Sequence, residues 1–325
     1  MVELNAEASD VAKILYTTGH VIYLITSSTD NENTDLQVKV KRQTRPWTLS
    51  CGMVITVEGP SSRPDTGDEA FFKIFDRRGA QQIRQDNGID AWNEDIEQDF
   101  VRDMSSGKVG EFLEKLRTVP GFQDETEEDW DAAENEAFLT AELRKCFDAE
   151  VATYARLREN QGKVIPRLLD VVTLNADLPN VNLSPQQQEF YRPKGVLLQY
   201  LQGFQLTTLT ENAPKESWQN IVDQAIRIVH ILNDHEILNA DVRPDNFIII
   251  PKGDKYAVFM IDFGQCRFRR EDESDEQWGR AKWIQDEEGA VGYVMRMMLR
   301  KVGFELRYEP SDRYLPWAPG EDNEM

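Results

Sequence analysis

Cysteine is scarce: Cys51, Cys146 and Cys266 are the three in 325 residues. An odd, scattered set does not build a disulfide framework and points to a reducing compartment. No cysteine is paired with another, or with a histidine, at zinc-ligand spacing. No uninterrupted apolar run approaches the ~20 residues that span a bilayer. The first ten residues lack a basic stretch followed by an apolar one, so no secretion signal is expected. Lysine and arginine are outnumbered by aspartate and glutamate, 37 to 58, for a formal charge of −21. That balance makes nucleic acid and anionic membranes poor partners. The acid either keeps the surface soluble or prefers a basic protein partner. The expectation is a soluble intracellular protein, cytoplasmic or nuclear, without internal repeats or a long low-complexity linker.

Apolar residues make up 40% of the chain, enough for one large domain or two lobes. Residues 21–25, 36–40 and 53–57 are β-rich, with a turn predicted at Asn31-Glu32-Asn33 and a Gly/Ser/Pro/Asp loop at 59–68. In Glu69-Ala-Phe-Phe-Lys-Ile-Phe-Asp76 the side chains alternate. Phe71, Lys73 and Phe75 share one strand face; Ala70, Phe72 and Ile74 share the other. Lys73 is either a chemical residue or a lysine snorkelling from an edge strand.

From residue 77 to about 119 the pattern turns helical, through Ile96, Phe100 and Met104, then Phe112, Leu113 and Leu116, with a break at Ser105-Ser106-Gly107. A long helix follows, with Leu139, Leu143, Cys146 or Phe147, Val151, Tyr154 and Leu157 on one side. Glu150, beside that stripe, reads on its own as a solvated residue. Residues 164–173 and 195–201 read as extended, and the Gly-containing break after them suits a connector. Trp218, Ile221, Val222, Ala225, Ile228, Val229 and Leu232 mark an amphipathic helix. After Gly264 come four residues rich in arginine, the acidic run 271–276 and a last helix near 287–301. Val291, Val294, Met297 and Met298 are expected inward there, and the tail from Glu309 is expected to fray.

Residues 237–264 concentrate the chemistry. Asp241, Asn246 five residues later and Asp262 of Asp-Phe-Gly flank two apolar runs, 247–250 and 257–261, around a turn at 251–255. The pattern predicts a β-hairpin that brings Asn246 and Asp262 together. Carboxylate and amide oxygens suit Mg²⁺, and a separate carboxylate suits an attacking hydroxyl.

This constellation resembles the protein-kinase-like superfamily over about residues 36–300, and in its Lys-x-x-Asp-Arg-Arg at Lys73–Arg78 it is similar to divergent fungal kinase-like proteins. The resemblance implies an α+β, two-lobed protein-kinase-like fold. Its N-lobe, residues 1–200, would be an antiparallel sheet carrying a helical insert at about 77–135. Its C-lobe, 201–325, would be shortened and mostly helical. The implied function is ATP- and Mg²⁺-dependent phosphate transfer to a hydroxyl on a protein or small molecule. Asp241 would accept or orient the hydroxyl proton, and Arg243 would steady the transferring phosphate. Asn246 and Asp262 would bind Mg²⁺. Lys73 would grip the ATP phosphates, oriented by Glu150. Leu198 would be the gatekeeper, with the backbones of Gln199 and Leu201 facing adenine.

The departures are specific. No Gly-rich loop precedes Lys73, and the turn Arg45-Pro-Trp-Thr-Leu-Ser50 is glycine-free. Phe71 replaces a small residue and stands where it would crowd adenine. Asn239-Ala240 replaces His-Arg, which removes the usual partner of a phosphorylated activation loop. No Ala-Pro-Glu follows Gly264. Asp286 or Glu287 would brace the catalytic loop, and the insert would cover the N-lobe or form a docking surface or lid. The alternative function is a catalytically weak or inactive pseudokinase that serves as a nucleotide-binding or interaction module.

Overall fold

The computed structural model describes residues 16–26, 34–44, 46–58 and 69–319. The N-terminal stretch, the turn at 31–33, Arg45 and the loop 59–68 lie outside the described residues. The fold is mixed α and β, in two compact units: Met1–Phe147 with Leu168–Tyr200, and Asp148–Arg167 with Leu201–Met325. Among the described residues, no helix is long and apolar enough to cross a membrane.

The first unit is built on a closed barrel of β1 (Val21–Thr26), β2 (Thr34–Thr44), β3 (Cys51–Glu58), β4 (Glu69–Phe75), β6 (Lys194–Gln199) and β5 (Leu168–Leu174), in that order around the wall. All six pairings are antiparallel, and Leu24 opposite Leu174 closes the ring. Strand alternation sends Leu24, Val38, Met53, Ile55, Phe72 and Ile74 into the interior. Each such side chain contributes about 1.5–3 kcal/mol on burial. Trp47 and Tyr16 complete that core. The expectation of an antiparallel sheet missed the closure, because Leu24 and Leu174 are far apart in sequence. The edge-strand reading of Lys73 is also corrected. β4 lies between β3 and β6, and Lys73 is buried with its ammonium 5.3 Å from the Phe75 ring centre.

Between β4 and β5 the chain forms α1 (Gln81–Asp86), α2 (Glu94–Ser106), α3 (Lys108–Thr118), α4 (Phe122–Thr126) and α5 (Ala132–Arg156). Gly107, with φ of 92°, ends α2 and starts α3, as the Ser-Ser-Gly break predicts. Phe100, Met104 and Phe112 are buried in this helical layer. Polar groups hold it too. Arg77 reaches Glu97 at 2.8 Å and Glu136 at 3.2 Å, and Arg84 reaches Glu136 at 2.7 Å. α6 (Pro185–Tyr191) opens with a capping box from Ser184 and Gln187.

The second unit contains α7 (Leu209–Asn212), α8 (Trp218–Asp234), α9 (Asp275–Gln285) and α10 (Glu287–Arg300). Its short strands are β7 (Phe204–Gln205), β8 (Ile237–Asn239), β9 (Phe247–Lys252), β10 (Lys255–Met260) and β11 (Cys266–Phe268). All seven apolar positions predicted for α8 are buried. β9 and β10 form the predicted hairpin, turned at Gly253 with φ of 60°. α10 departs from its predicted stripe. Val294 and Met297 are exposed, whereas Val291, Met295 and Leu299 are buried. The buried face is rotated because Gly292 makes a slot for the Tyr308 ring. The tail is not frayed through residue 319. Trp317 fills a second slot at Gly279, and Arg313 pairs with Asp234 at 2.6 Å.

Asp76, at the end of β4, generates a pH prediction. Burial alone would push its carboxyl up, but Arg78 and the Tyr16 hydroxyl hold it at about 2, below the ordinary 3.8. The unfolded chain therefore takes up this proton first on acidification. The ionised carboxylate contributes about 2 kcal/mol above pH ~4, and this fades as pH falls toward 2. Asp76→Asn is expected to flatten the acid limb of a urea-melt stability profile between those values; an unchanged limb would refute the assignment.

Candidate active site

β8 ends in Asn239, and the loop that follows is fixed from below. The Asn239 N–H donates to Glu287 Oε1 at 2.8 Å. Lys282 pairs with the other oxygen of Glu287 and donates to the carbonyl of Ile237 at 2.8 Å. Both charges are almost fully buried. Burial pulls the Lys282 ammonium down despite Glu287, and pushes the Glu287 carboxyl up despite Lys282. Of the two bracing acids considered, Glu287 therefore holds the loop, and Asp286 instead caps α10 through Gly289 N at 3.1 Å.

Asn239 works upward as well. Its Oδ1 accepts the Asp241 N–H at 2.9 Å, and its Nδ2 donates to the Asp262 carbonyl at 3.3 Å. One buried residue thus ties the three together, Glu287 through the main-chain N–H of Asn239 and Asp241 and Asp262 through its side-chain amide. Sequence inspection marked Asn239 as a lost histidine and gave no sign of this linking role. Lys282 was missed as well, its only signal being a lysine five residues before an acid on the next helix.

Asn246 donates through Nδ2 to Asp241 Oδ2 at 3.0 Å and to its carbonyl at 2.8 Å. Arg243 Nε lies 3.3 Å from Asp241 Oδ1. The Asp241 side chain is partly open, at 21% exposure, as a group that meets a substrate must be. The Asn246 carbonyl accepts from Ile261 N at 2.8 Å, which couples the loop to the end of β10 just before Asp262. Asp262 itself has φ of 68°, a left-handed conformation costly for a non-glycine residue. It is held between Asn239 and Phe263, whose N–H donates to Glu150 Oε2 at 2.9 Å. Glu150 is fully buried, so its solvated reading is corrected. Tyr154, one turn along α5, meets the Phe263 ring edge-on at 5.5 Å.

The donor chemistry fits a hard cation. Because Nδ2 is committed to Asp241, Asn246 presents its oxygen elsewhere, and Asp262 supplies a carboxylate. Among the described residues, no group of three or more His, Cys, Asp or Glu side chains is placed to hold a metal. The pair here is one amide and one carboxylate.

In the first unit, Lys73 pairs across β4 with Gly52 on one side and Val196 on the other. Phe71 lies over Gly52, where a Cβ would meet its ring. The turn before β3 is anchored by Trp47, whose indole donates to the Gly52 carbonyl at 3.2 Å. Leu198 and Gln199 end β6, and Leu201 begins the return of the chain to the second unit.

No family model matches the chain. It is 33% identical over 69 residues to a probable serine/threonine-protein kinase of Dictyostelium discoideum. That stretch is 21% of this chain and 14% of the relative's length. The partial similarity points to a kinase-like relationship.

Removing one member of the buried pair leaves the other uncompensated. Lys282→Met is expected to destabilise the protein by about 3–5 kcal/mol in urea denaturation. The double variant with Glu287→Leu should recover part of that loss. A single variant within about 0.5 kcal/mol of the parent would show that the pair does not hold the loop.

Proposed function

We propose that the protein is an ATP- and Mg²⁺-dependent phosphotransferase of two-lobed kinase-like architecture, acting on a hydroxyl of a protein or small molecule. The observation that carries this is the fixed orientation of Asn246 against Asp241, with Asp241 and Asp262 both bonded to the buried side-chain amide of Asn239. The partial likeness to a serine/threonine kinase supports it. Asp241, half-open and braced through its main chain, accepts or orients the hydroxyl proton. Arg243 steadies the transferring phosphate beside it. Asn246 and Asp262 would hold Mg²⁺, which neutralises phosphate charge when bound. Lys73 is assigned to the α- and β-phosphates, with Glu150 as its orienting carboxylate. Leu198, Gln199 and Leu201 are assigned to adenine. The work asked of these residues is positioning and charge stabilisation.

A second reading, a nucleotide-binding or interaction module without transfer, draws on the turn before β3. It has no glycine, and its Trp47 is buried in the barrel. Two measurements separate the readings. Millimolar Mg-ATP should raise the melting temperature by mass action under either nucleotide-binding reading. Asp241→Ala should keep that shift and lower phosphate transfer about 10²–10⁴-fold. Turnover within about tenfold of the parent in that variant would sink the phosphotransferase assignment. A shift without turnover in the parent protein would favour the module.

A further inference from the structure

The acidic run 271–276 is a poor lure for cations, because it is largely neutralised at home. Glu273 pairs with Arg267 at 3.0 Å, Asp275 with Arg269 at 2.5 Å and Asp272 with Arg270 at 3.2 Å. A different acidic surface lies elsewhere in the second unit. α9, α10, the end of α8 and the tail border an open cavity of about 580 Å³. That is within the range of small-ligand sites.

Four carboxylates line the cavity: Asp286, Glu287, Glu288 and Asp312. Lys282 is the one cation in the lining, and it is committed to Glu287 and the Ile237 carbonyl. His230 and the Ser311 N–H bond Glu288 at 3.0 and 3.1 Å. Arg313, next to the lining, is taken by Asp234. Burial pushes the Asp286 carboxyl up and the neighbouring Glu288 charge adds to it, against the Gly289 N–H that it accepts.

Aromatic rings supply the rest of the wall: Trp283, Tyr293, Tyr308 and Tyr314. Arg296 already stacks 4.8 Å from the Tyr293 ring centre, so these faces accept guanidinium groups. Trp283 and Tyr293 stay well exposed for large aromatics, at 38% and 40%. An independent observation comes from α8. Asn233, only 6% exposed, lines the same cavity, and its buried Oδ1 has no hydrogen-bond partner among the described residues. A buried amide left unsatisfied is destabilising, a cost that a ligand's polar group can remove.

We propose that this cavity binds a cationic ligand, an ammonium or guanidinium group on a short apolar stem. Asp286, Glu288 and Asp312 neutralise its charge, the rings cover its stem and Asn233 meets its polar end. The source is either a free amine or a basic side chain on a peptide; both present the same chemistry.

Calorimetric titration of the full chain with agmatine tests the site without any readout of phosphate transfer. Saturable binding is expected, weakened at least about 5-fold by Asp312→Asn and by Asn233→Ala. 1-Pentanol, which has the stem without the charge, is expected to bind at least about tenfold more weakly than agmatine. Thermal melting confirms that each variant is folded. Asp312 sits on the exposed tail, so its substitution keeps the test valid should Asn233→Ala unfold. N-acetyl-arginine amide separates the sources. Tighter binding than agmatine supports a peptide side chain, and weaker binding supports a free amine. No saturation with either cationic probe by about 20 mM, or agmatine binding unchanged in Asp312→Asn, overturns the proposal.

Discussion

A buried carboxylate governs the second unit. Glu287 sits where water cannot stabilise its charge, and Lys282 and the Asn239 N–H compensate it. Such a pair gives little net stability, because both ions give up their hydration. What it gives is position. Ile237 and Asn239 are held at the same point, one through its carbonyl and one through its N–H. From there Asn239 sets Asp241 and Asp262, and Asp241 sets Asn246. The polar residues of the site are therefore placed by a chain of hydrogen bonds that begins in the protein interior. The strained backbone of Asp262 persists for the same reason, since its neighbours on both sides are anchored.

The parts of this arrangement that were legible in sequence are those with a period or a tight local pattern. The α8 stripe, the Ser-Ser-Gly helix break and the hairpin around Gly253 each follow from residues close together in the chain. The spacing of Asp241, Asn246 and Asp262 was legible for the same reason. What was not legible depends on packing between distant residues. Gly292 and Gly279 carry no hydrophobic signal, yet they receive Tyr308 and Trp317 and so decide which face of α10 turns inward and where the tail lies. Asn239 is the clearest case. Its two neighbours across the site, Glu287 and Asp262, lie 48 and 23 residues away along the chain.

Glu150 shows how a pattern can mislead. A glutamate beside an apolar stripe belongs in water by periodicity alone. It is buried here because one N–H, that of Phe263, needs an acceptor where Tyr154 and the Phe263 ring exclude solvent. A carboxylate is the strongest acceptor that a side chain can offer. Helical periodicity reports which face is dry; it does not report which polar group that face must satisfy.

The closed wall of the first unit has a consequence of another kind. Among the described residues, each of its six strands has a neighbour on both sides; β4 and β6 are paired along nearly the whole of both edges, whereas β1 meets β5 through three residue pairs. Along β4 and β6 an extended peptide finds no free edge to lengthen. Recognition beside those two strands falls to side chains and loops. Mutations that alter such recognition would then leave the strand pairing, and with it the support of Lys73, untouched.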